Sequence, residues 1–331
     1  MAAAPSTPAA TAAPPARRAV VFAYHDVGVR CLKVLLAGGV DVALVVTHQD
    51  SAGENIWFAS VAQLCRMEGI AFITPPDANS PELLAQVQAA RPDLMFSFYY
   101  RHMLPAALLA LAPAFNMHGS LLPQFRGRAP VNWAVLHGAR ETGASLHEMT
   151  VKPDAGAIVA QAAVPILPDD TAHEVFGKVT VAAEQALWRV LPALLDGSAP
   201  RTPNDLREGG YFSGRKPEDG RIDWSQPARQ VYDLHRAVAP PYPGAFTDVA
   251  GRRYLIERAS LSRPDGGKLH SKLPPGLAVV DNCIVGVCGD GRMLAISSLL
   301  ADGAPITPEQ LQQRLADPAN IGAANTDADY T

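Results

Sequence analysis

An asparagine and a histidine lie two positions apart in the segment Ala-Phe-Asn-Met-His, residues 114–118. Side chains of an extended strand alternate between its two faces, so Asn116 and His118 share one face. Histidine titrates near neutral pH and can accept or donate a proton, and an amide N–H can stabilise a developing negative charge. The spacing therefore predicts general acid–base chemistry at the end of this strand.

A carboxylate that could serve this histidine lies in the later turn Lys-Pro-Asp-Ala-Gly, as Asp154. If the turn folds back over the strand, the carboxylate can orient the imidazole of His118 and stabilise its charged form. Taken singly, each residue has a plainer explanation. Asp in such a turn usually bonds its own backbone, Asn116 could simply end a strand, and the chain has nine histidines. Their order along the chain favours the catalytic interpretation.

Two arginines precede a predicted helix start at Pro130. Proline fits the first turn of a helix, where its missing N–H is not needed. The free N–H groups of that turn, with Arg126 and Arg128 beside them, predict a site for a carboxylate or phosphate. The alternative explanation is a pair of solvated surface arginines.

The elements that position these residues follow a β/α rhythm from Arg18 onward. Strands separated by helices indicate a Rossmann-like, mostly parallel sheet with right-handed crossovers, and ligands of such sheets bind at the carboxyl ends of the strands. The loop after the first strand lacks G-x-G-x-x-G, so we expect no NAD. We predict strands at 19–24, 42–48, 71–74, 93–100 and 114–118, an antiparallel edge pair at 145–151 and 157–166, and helices at 28–39, 55–69, 80–90, 104–112 and between Thr171 and Gly197.

A stretch rich in Pro, Gly and charge separates this half from a second one. The second half begins with a predicted helix at 226–238, and its short strands, divided by Gly and Pro, predict a small open β-barrel of the OB type. We expect a disordered leader at 1–17, a Rossmann-like catalytic domain at 18–198, a linker at 199–215, an OB-like barrel domain at 216–304, and a short helix and flexible tail at 305–331.

The composition is that of an ordinary soluble globular protein: 331 residues, 18% charged, with a net charge of -4. This balance gives no bulk attraction to nucleic acid or to an anionic membrane. No apolar run approaches the roughly 20 residues that span a bilayer, and the first residues lack the apolar core of a signal peptide, so we expect a cytoplasmic protein. The four cysteines lack CxxC spacing, and we expect no metal site.

Longer strings around the candidate residues resemble a known family. Phe-Asn-Met-His-Gly-Ser-Leu-Leu-Pro, then Arg-Gly-Arg-Ala-Pro and Lys-Pro-Asp-Ala-Gly-Ala, are similar to the folate-dependent formyltransferases, from about Ala19 to about Leu300. The resemblance implies transfer of a formyl group from 10-formyltetrahydrofolate to a primary amine. Asn116 and Asp154 match that family's transition-state residues and His118 its proton donor. Its formyltetrahydrofolate contacts match His102, Met103, Leu104, Arg128, Thr150, Val151, Lys152 and Pro153.

The flanking strings bear on the amine acceptor. Ala-Tyr-His-Asp-Val-Gly and Phe-Ser-Phe-Tyr-Tyr-Arg-His-Met resemble the family members that formylate UDP-4-amino-4-deoxy-L-arabinose in lipid A modification, a polymyxin-resistance pathway. This resemblance implies a sugar nucleotide acceptor and no nucleic acid, with Asn132 and Arg215 as expected contacts. Two alternatives stay open: a methionyl-tRNA formyltransferase, although residues 48–55 are not basic, and a formyl-folate hydrolase or non-transferring folate-binding module. The oligomeric state is open as well, and a homo-oligomer is one of the alternatives.

Overall fold

The computed structural model describes residues 16–50, 53, 55–261 and 272–316. Most of the predicted leader and the tail beyond residue 316 lie outside the described residues. The strands are β1 (Arg18–Ala23), β2 (Asp41–Val46), β3 (Phe72–Ile73), β4 (Leu94–Phe98), β5 (Ala114–His118), β6 (Arg126–Gly127), β7 (Glu141–Glu148), β8 (Ile158–Pro165), β9 (Tyr211–Phe212), β10 (Ala245–Val249), β11 (Arg252–Leu261), β12 (Gly276–Val280), β13 (Cys283–Val287), β14 (Met293–Ala301) and β15 (Ala304–Pro305). The helices are α1 (His25–Ala37), α2 (Val61–Glu68), α3 (Pro81–Ala90), α4 (Ala106–Leu109), α5 (Pro130–Leu136), α6 (Ala172–Asp196), α7 (Ala228–Val238) and α8 (Pro308–Ala316), with a 3₁₀ turn at Pro217–Gly220.

The first sheet has the order β3-β2-β1-β4-β5-β7-β8. The neighbours from β3 to β5 are parallel, whereas β7 and β8 join antiparallel. The central strands β1 and β4 are almost wholly buried, as expected of strands covered by helices on both faces. The predicted Rossmann-like, mostly parallel sheet with an antiparallel edge is confirmed.

Local signals set the ends of the long helix α6. The Thr171 hydroxyl accepts the N–H of Glu174, and the Glu174 carboxylate accepts the N–H of Thr171, a reciprocal cap that contributes about 1 kcal/mol. At the other end Gly197 has φ +83°, which only glycine adopts without strain. The helix predicted between Thr171 and Gly197 therefore has the observed bounds.

Two predicted helix starts were wrong. The helix expected from residue 55 begins only at Val61, because the Ser60 side chain caps it and the preceding residues turn aromatic rings inward. The helix expected from Gly28 begins at His25, directly after β1, with only Tyr24 between strand and helix. His25 carries φ +67°, a costly conformation for a residue with a side chain.

The second sheet is antiparallel, in the order β10-β11-β14-β13-β12, with β15 added beside β14. Its outer strands β10 and β12 do not pair with each other, so the sheet forms an open half-barrel, and the predicted fold class is confirmed. Helix α7 packs between α5 and this sheet. Its Arg236, 1% exposed, pairs with Asp233 and donates to the carbonyl of Asp170, which joins α7 to the start of α6.

The segment predicted as a linker, 199–215, is bonded to the first half along its length. Thr202 and Ile158 exchange two backbone hydrogen bonds of 2.8 Å, and β9 pairs in parallel with β6. The Asn204 amide donates to the carbonyl of Asp154 at 2.9 Å. The domain boundaries stay a prediction, but this segment is more than a tether.

No helix in the described part of the chain is long and apolar enough to cross a bilayer.

Candidate active site

The turn that carries Asp154 folds back over β5 and meets His118. The Nδ1 atom of His118 lies 3.5 Å from Oδ1 of Asp154, and its Nε2 lies 2.9 Å from the carbonyl oxygen of Phe125. The other carboxylate oxygen, Oδ2, accepts the backbone N–H of Gly127 at 2.8 Å. Both ends of the carboxylate are therefore held, and the imidazole is buried, with 6% of its surface exposed.

A second histidine, which the sequence did not single out, completes the cluster. His147 lies opposite Asn116 in the β5–β7 register and is 2% exposed. Its Nε2 is 3.0 Å from Nδ2 of Asn116 and 3.6 Å from Oδ1 of Asp154. Alternation along β7 could have placed His147 on one face, but only the strand register shows that it faces Asn116.

Burial and charge act in opposite directions on this cluster. Burial alone would raise the pKa of Asp154, but its contacts with His147 and with His118 and the N–H of Gly127 lower it to about 2. Burial lowers the pKa of His118 below its usual 6.5, and the Asp154 carboxylate only partly offsets this. At neutral pH the structure therefore holds an ionised carboxylate beside a neutral imidazole that can accept a proton.

Hydroxyl and amide groups fix the loop after His118. The Ser145 hydroxyl donates to the carbonyl of Ser120 at 2.6 Å and accepts the N–H of Leu122 at 2.9 Å. The Gln161 amide donates to the same hydroxyl and to the carbonyl of Leu122. This fully buried serine thus ties the loop to β7 and β8, and limits the positions that His118 can take.

Gly119 lies against Tyr99. A Cβ atom at this position would come within 2.0 Å of the Tyr99 hydroxyl. We predict that Gly119→Ala destabilises the fold by about 1–3 kcal/mol, the usual effect of overpacking, and lowers activity because the loop after His118 must move. Urea unfolding measures the first effect and initial rates the second.

Gly177→Ala is the matched control, since an added Cβ there meets nothing within 4 Å. Because Gly177 lies inside α6, alanine should stabilise the helix by about 0.5–1 kcal/mol. Equal stability of the two variants would contradict the close approach of Tyr99 to Gly119.

A cavity of about 530 Å³ opens beside this loop. Tyr99 and Pro130 line it, and both are close to Gly119, so the cavity adjoins the His118 cluster. Its aromatic wall consists of His25, Trp57, Phe58, Tyr99, Phe176 and Tyr242. A volume of this size with aromatic walls and few polar groups is typical of a small-molecule site.

A few polar side chains also line this aromatic cavity. Asn55, Arg101 and Asn132 line it together with the rings. The Arg101 guanidinium stacks over the ring of Tyr24, 4.6 Å from its centre, and Asn132 donates to the carbonyl of Ala237 at 2.8 Å. The cavity therefore offers flat apolar surfaces for a ring and a cation for an anionic group.

Comparison with known families is decisive for the class of protein. A family model described as formyl transferase matches residues 20–191, more than half of the chain. The chain belongs to the formyl transferase family. The model of the formyl transferase C-terminal domain matches residues 215–315. The protein is therefore a formyltransferase with both domains of its family.

Solved structures share this formyltransferase fold at low sequence identity. An N-formyltransferase from Helicobacter canadensis, in complex with folinic acid and dTDP-3-aminofucose, has TM-score 0.64 and 16% identity over 85% of this chain and 98% of that one. WlaRD, a sugar 3N-formyl transferase with dTDP and 5-N-formyl-THF, has TM-score 0.67 and 15% identity over 85% and 97%. HypX from Aquifex aeolicus, with tetrahydrofolic acid, has TM-score 0.60 and 18% identity over 91% of this chain and 48% of its own.

The residues predicted to contact formyltetrahydrofolate lie in two loops and beside β6. His102 and Met103 are exposed after β4, whereas Leu104 is buried. Thr150, Val151 and Lys152 are exposed and Pro153 is half-buried in the turn that leads to Asp154. Arg128 is exposed and runs along Gly214. Among the described residues, none of these side chains bonds to Asn116, His118 or Asp154.

The structure places the predicted acceptor contacts and the predicted anion-site arginines in different surroundings. Asn132 lines the aromatic cavity, but Arg215 does not: its guanidinium stacks on Trp133 and donates to the carbonyl of Asp219. Arg126 is buried and donates to the carbonyl of Leu206, whereas Arg128 is exposed. The anion site at the start of α5 stays a prediction. In the described ranges no group of three or more His, Cys, Asp or Glu side chains is arranged to hold a metal ion.

Proposed function

We propose that this formyltransferase transfers the formyl group of 10-formyltetrahydrofolate to the 4-amino group of UDP-4-amino-4-deoxy-L-arabinose. The observation that carries the proposal is the aromatic cavity beside the His118 cluster, described above. A nucleotide sugar needs flat walls for its base and a cation for its diphosphate, and its amine must lie close to the catalytic groups. The cavity meets all three needs.

We assign each part of the acceptor to particular residues that line the cavity. The base stacks among the rings of Trp57, Phe58 and Tyr242, and the diphosphate pairs with Arg101. Asn132 then hydrogen-bonds the nucleoside, and the amino sugar points past Tyr99 toward Gly119. Support comes from the structures that resemble this fold, since the Helicobacter canadensis enzyme was solved with dTDP-3-aminofucose and WlaRD with dTDP.

The formyl donor belongs on the other side of the cluster, in this proposal. The turn 150–153 and the loop 102–104 present backbone groups and the exposed side chains of Met103 and Val151, 56% and 72% exposed. Exposed apolar side chains at the edge of a site suit a flat, partly apolar ring system such as a pterin. Folinic acid, 5-N-formyl-THF and tetrahydrofolic acid accompany the three similar structures.

The cluster supplies what an amine needs to displace a folate nitrogen from a formyl carbon. Asn116 donates an amide N–H to the oxygen that becomes negative as the amine attacks. His118, neutral because burial lowers its pKa, takes the proton from the attacking nitrogen and returns it to N10 of the folate as that atom leaves. Asp154, ionised throughout because its pKa is about 2, stabilises the imidazolium between these two steps.

The Phe125 carbonyl has a part in this scheme. It accepts a hydrogen bond from Nε2 of His118 at 2.9 Å, and Phe125 itself has φ +52°. Hydrogen bonds at catalytic groups commonly rearrange when substrate binds. We infer that the acceptor amine displaces this carbonyl from Nε2 and that the ring hydrogen then lies on Nδ1, which faces Asp154, so that the lone pair of Nε2 can take the amine proton. Proton transfer is thereby restricted to the bound complex.

The acceptor is tested by incubating the protein and 10-formyltetrahydrofolate with UDP-4-amino-4-deoxy-L-arabinose, with dTDP-3-aminofucose, and with methionyl-tRNA. Formylation of the UDP sugar at the highest kcat/KM is the expected result. Preference for the dTDP sugar would replace the proposed acceptor, and formylation of the tRNA alone would overturn the sugar nucleotide class. Release of formate without any amine, as fast as transfer, would identify a hydrolase instead.

The pH profile tests the pairing of Asp154 with His118. The carboxylate favours the charged imidazole, so Asp154→Asn removes that support and the pKa of His118 falls further below 6.5. We predict that the acidic limb of kcat/KM moves to lower pH and that kcat falls by at least about tenfold. Rates are measured from pH 4.5 to 8.

Asp302→Asn, at an exposed ion pair with Arg252, is the matched control and should leave both limbs in place. An acidic limb that moves to higher pH in Asp154→Asn would contradict the assignment, because it would mean that the carboxylate disfavours the charged imidazole.

A further inference from the structure

The His147 imidazole contacts two members of the cluster, although neither the proposed mechanism nor the family motif uses it. Its Nδ1 lies 2.7 Å from the carbonyl oxygen of Glu148, its Nε2 lies 3.0 Å from the Asn116 amide nitrogen, and the same Nε2 lies 3.6 Å from Oδ1 of Asp154. With 2% of its surface exposed, the ring has no room for an alternative position.

The carbonyl of Glu148 determines which ring nitrogen carries the hydrogen. A carbonyl oxygen only accepts hydrogen bonds, so Nδ1 must be the protonated nitrogen. In the neutral ring Nε2 is then an acceptor, and an acceptor at 3.0 Å requires an N–H of Asn116 in front of it. The Glu148 carbonyl thus sets the orientation of the Asn116 amide through two hydrogen bonds, one to each nitrogen of the His147 ring.

This orientation matters for the proposed chemistry of Asn116. The amide nitrogen has two hydrogens, and His147 takes one of them. The Asn116 side chain makes no other hydrogen bond among the described residues, so the second amide hydrogen is available to a ligand. If the amide turned over, its oxygen would face the place where negative charge develops, and the interaction would change from attraction to repulsion.

We propose that His147 is a positioning residue that, through its Nδ1–H tautomer, holds the Asn116 amide with an N–H toward the formyl oxygen. The inference rests on the proposed function, because it assigns Asn116 to that oxygen. His147 itself touches no substrate. Its contribution is to remove one of the two amide orientations, so that no rearrangement is needed when the reaction begins.

Three substitutions separate the two hydrogen bonds of His147. In His147→Gln the side-chain carbonyl reaches the position of Nε2 and can still accept from Asn116. In His147→Asn the amide reaches only the position of Nδ1 and can still donate to Glu148. In His147→Leu both bonds are lost. Gln and Asn each keep one bond, so a purely structural role gives them similar effects.

We expect the kcat of the Gln variant to differ clearly from that of the Asn and Leu variants. His147→Gln stays within about threefold of the unsubstituted protein, whereas the Asn and Leu variants lose at least about tenfold in kcat. The KM values for 10-formyltetrahydrofolate and for the amino sugar change by less than about twofold, because the amide acts on a group that becomes charged only during reaction. Asn and Leu variants within threefold, or a Gln variant as slow as they are, would overturn the proposal.

Nitrogen NMR of the unsubstituted protein decides the question even if the variants fold poorly. The His147 signals are assigned by their loss in the Gln or Leu variant, or by selective labelling, and the tautomer is read at alkaline pH, where the ring is neutral. An Nδ1–H tautomer supports the proposal and an Nε2–H tautomer contradicts it. This measurement needs no acceptor, so a failure of the proposed acceptor and a failure of the His147 role are distinguishable.

Discussion

Replacing His118 with alanine is expected to lower kcat by about 10²–10⁴-fold, the usual contribution of a proton-transfer group. In the proposed reaction His118 takes the proton from the attacking amine, and its partner Asp154 cannot replace it, since Asp154 has a pKa of about 2 and is too weak a base. The KM values should change little, because His118 is buried and contacts Asp154 and Phe125. Initial rates of formyl transfer, with folding checked by circular dichroism, give the answer.

His137→Ala is the control for this substitution, because that ring is exposed at the end of α5. It should keep full activity. The two variants also separate catalysis from stability: both remove an imidazole, but only one removes the group that faces Asp154. If His118→Ala retained more than a tenth of the original kcat, the proton-transfer role of His118 would be wrong.

The second large effect is expected at Asn116. Asn116→Ala removes the N–H that faces the formyl oxygen, and loss of one such donor costs about 10²–10³-fold in kcat, or about 2.7–4 kcal/mol. Asn116 is half-buried in the middle of β5, and the only hydrogen bond of its side chain among the described residues is to His147. Alanine should therefore affect the rate far more than the free energy of unfolding.

Steady-state kinetics with both substrates measure the effect, and Asn79→Ala provides the comparison. Asn79 is exposed and bonds Asp77 within a surface loop. If Asn116→Ala raised KM and left kcat unchanged, the amide would contribute to binding of the substrate and not to stabilisation of the developing charge. That outcome would also remove the reason for the positioning role of His147.

The mostly parallel sheet with its antiparallel edge pair, and the shared face of Asn116 and His118, could be predicted from the sequence. Both depend on local patterns: β-branched runs between helical segments, and alternation within five residues of β5. The caps of α6 follow from equally local chemistry, a threonine three positions before a glutamate and a glycine at the far end. Where neighbours along the chain decide a structure, the sequence is sufficient.

The rest depends on contacts between distant parts of the chain. His147 faces Asn116 only because β7 pairs with β5 in one particular register, and a shift of one residue would turn its ring to the other face. Arg126 is turned inward by the carbonyl of Leu206, 80 positions away. The aromatic cavity combines rings from both halves of the chain, for example Trp57 and Tyr242. No local pattern encodes such pairs.

The parallel ribbon of β6 and β9 has a consequence for the order in which this enzyme is made. Gly127 holds one oxygen of Asp154, and the strand that contains Gly127 is itself paired with Phe212, more than 80 residues later in the chain. A ribosome releases the chain from its N-terminus, so the nascent protein has Asn116, His118 and Asp154 long before it has the strand that fixes them. Competence to transfer a formyl group should therefore arise late in synthesis, once residue 212 has left the ribosome.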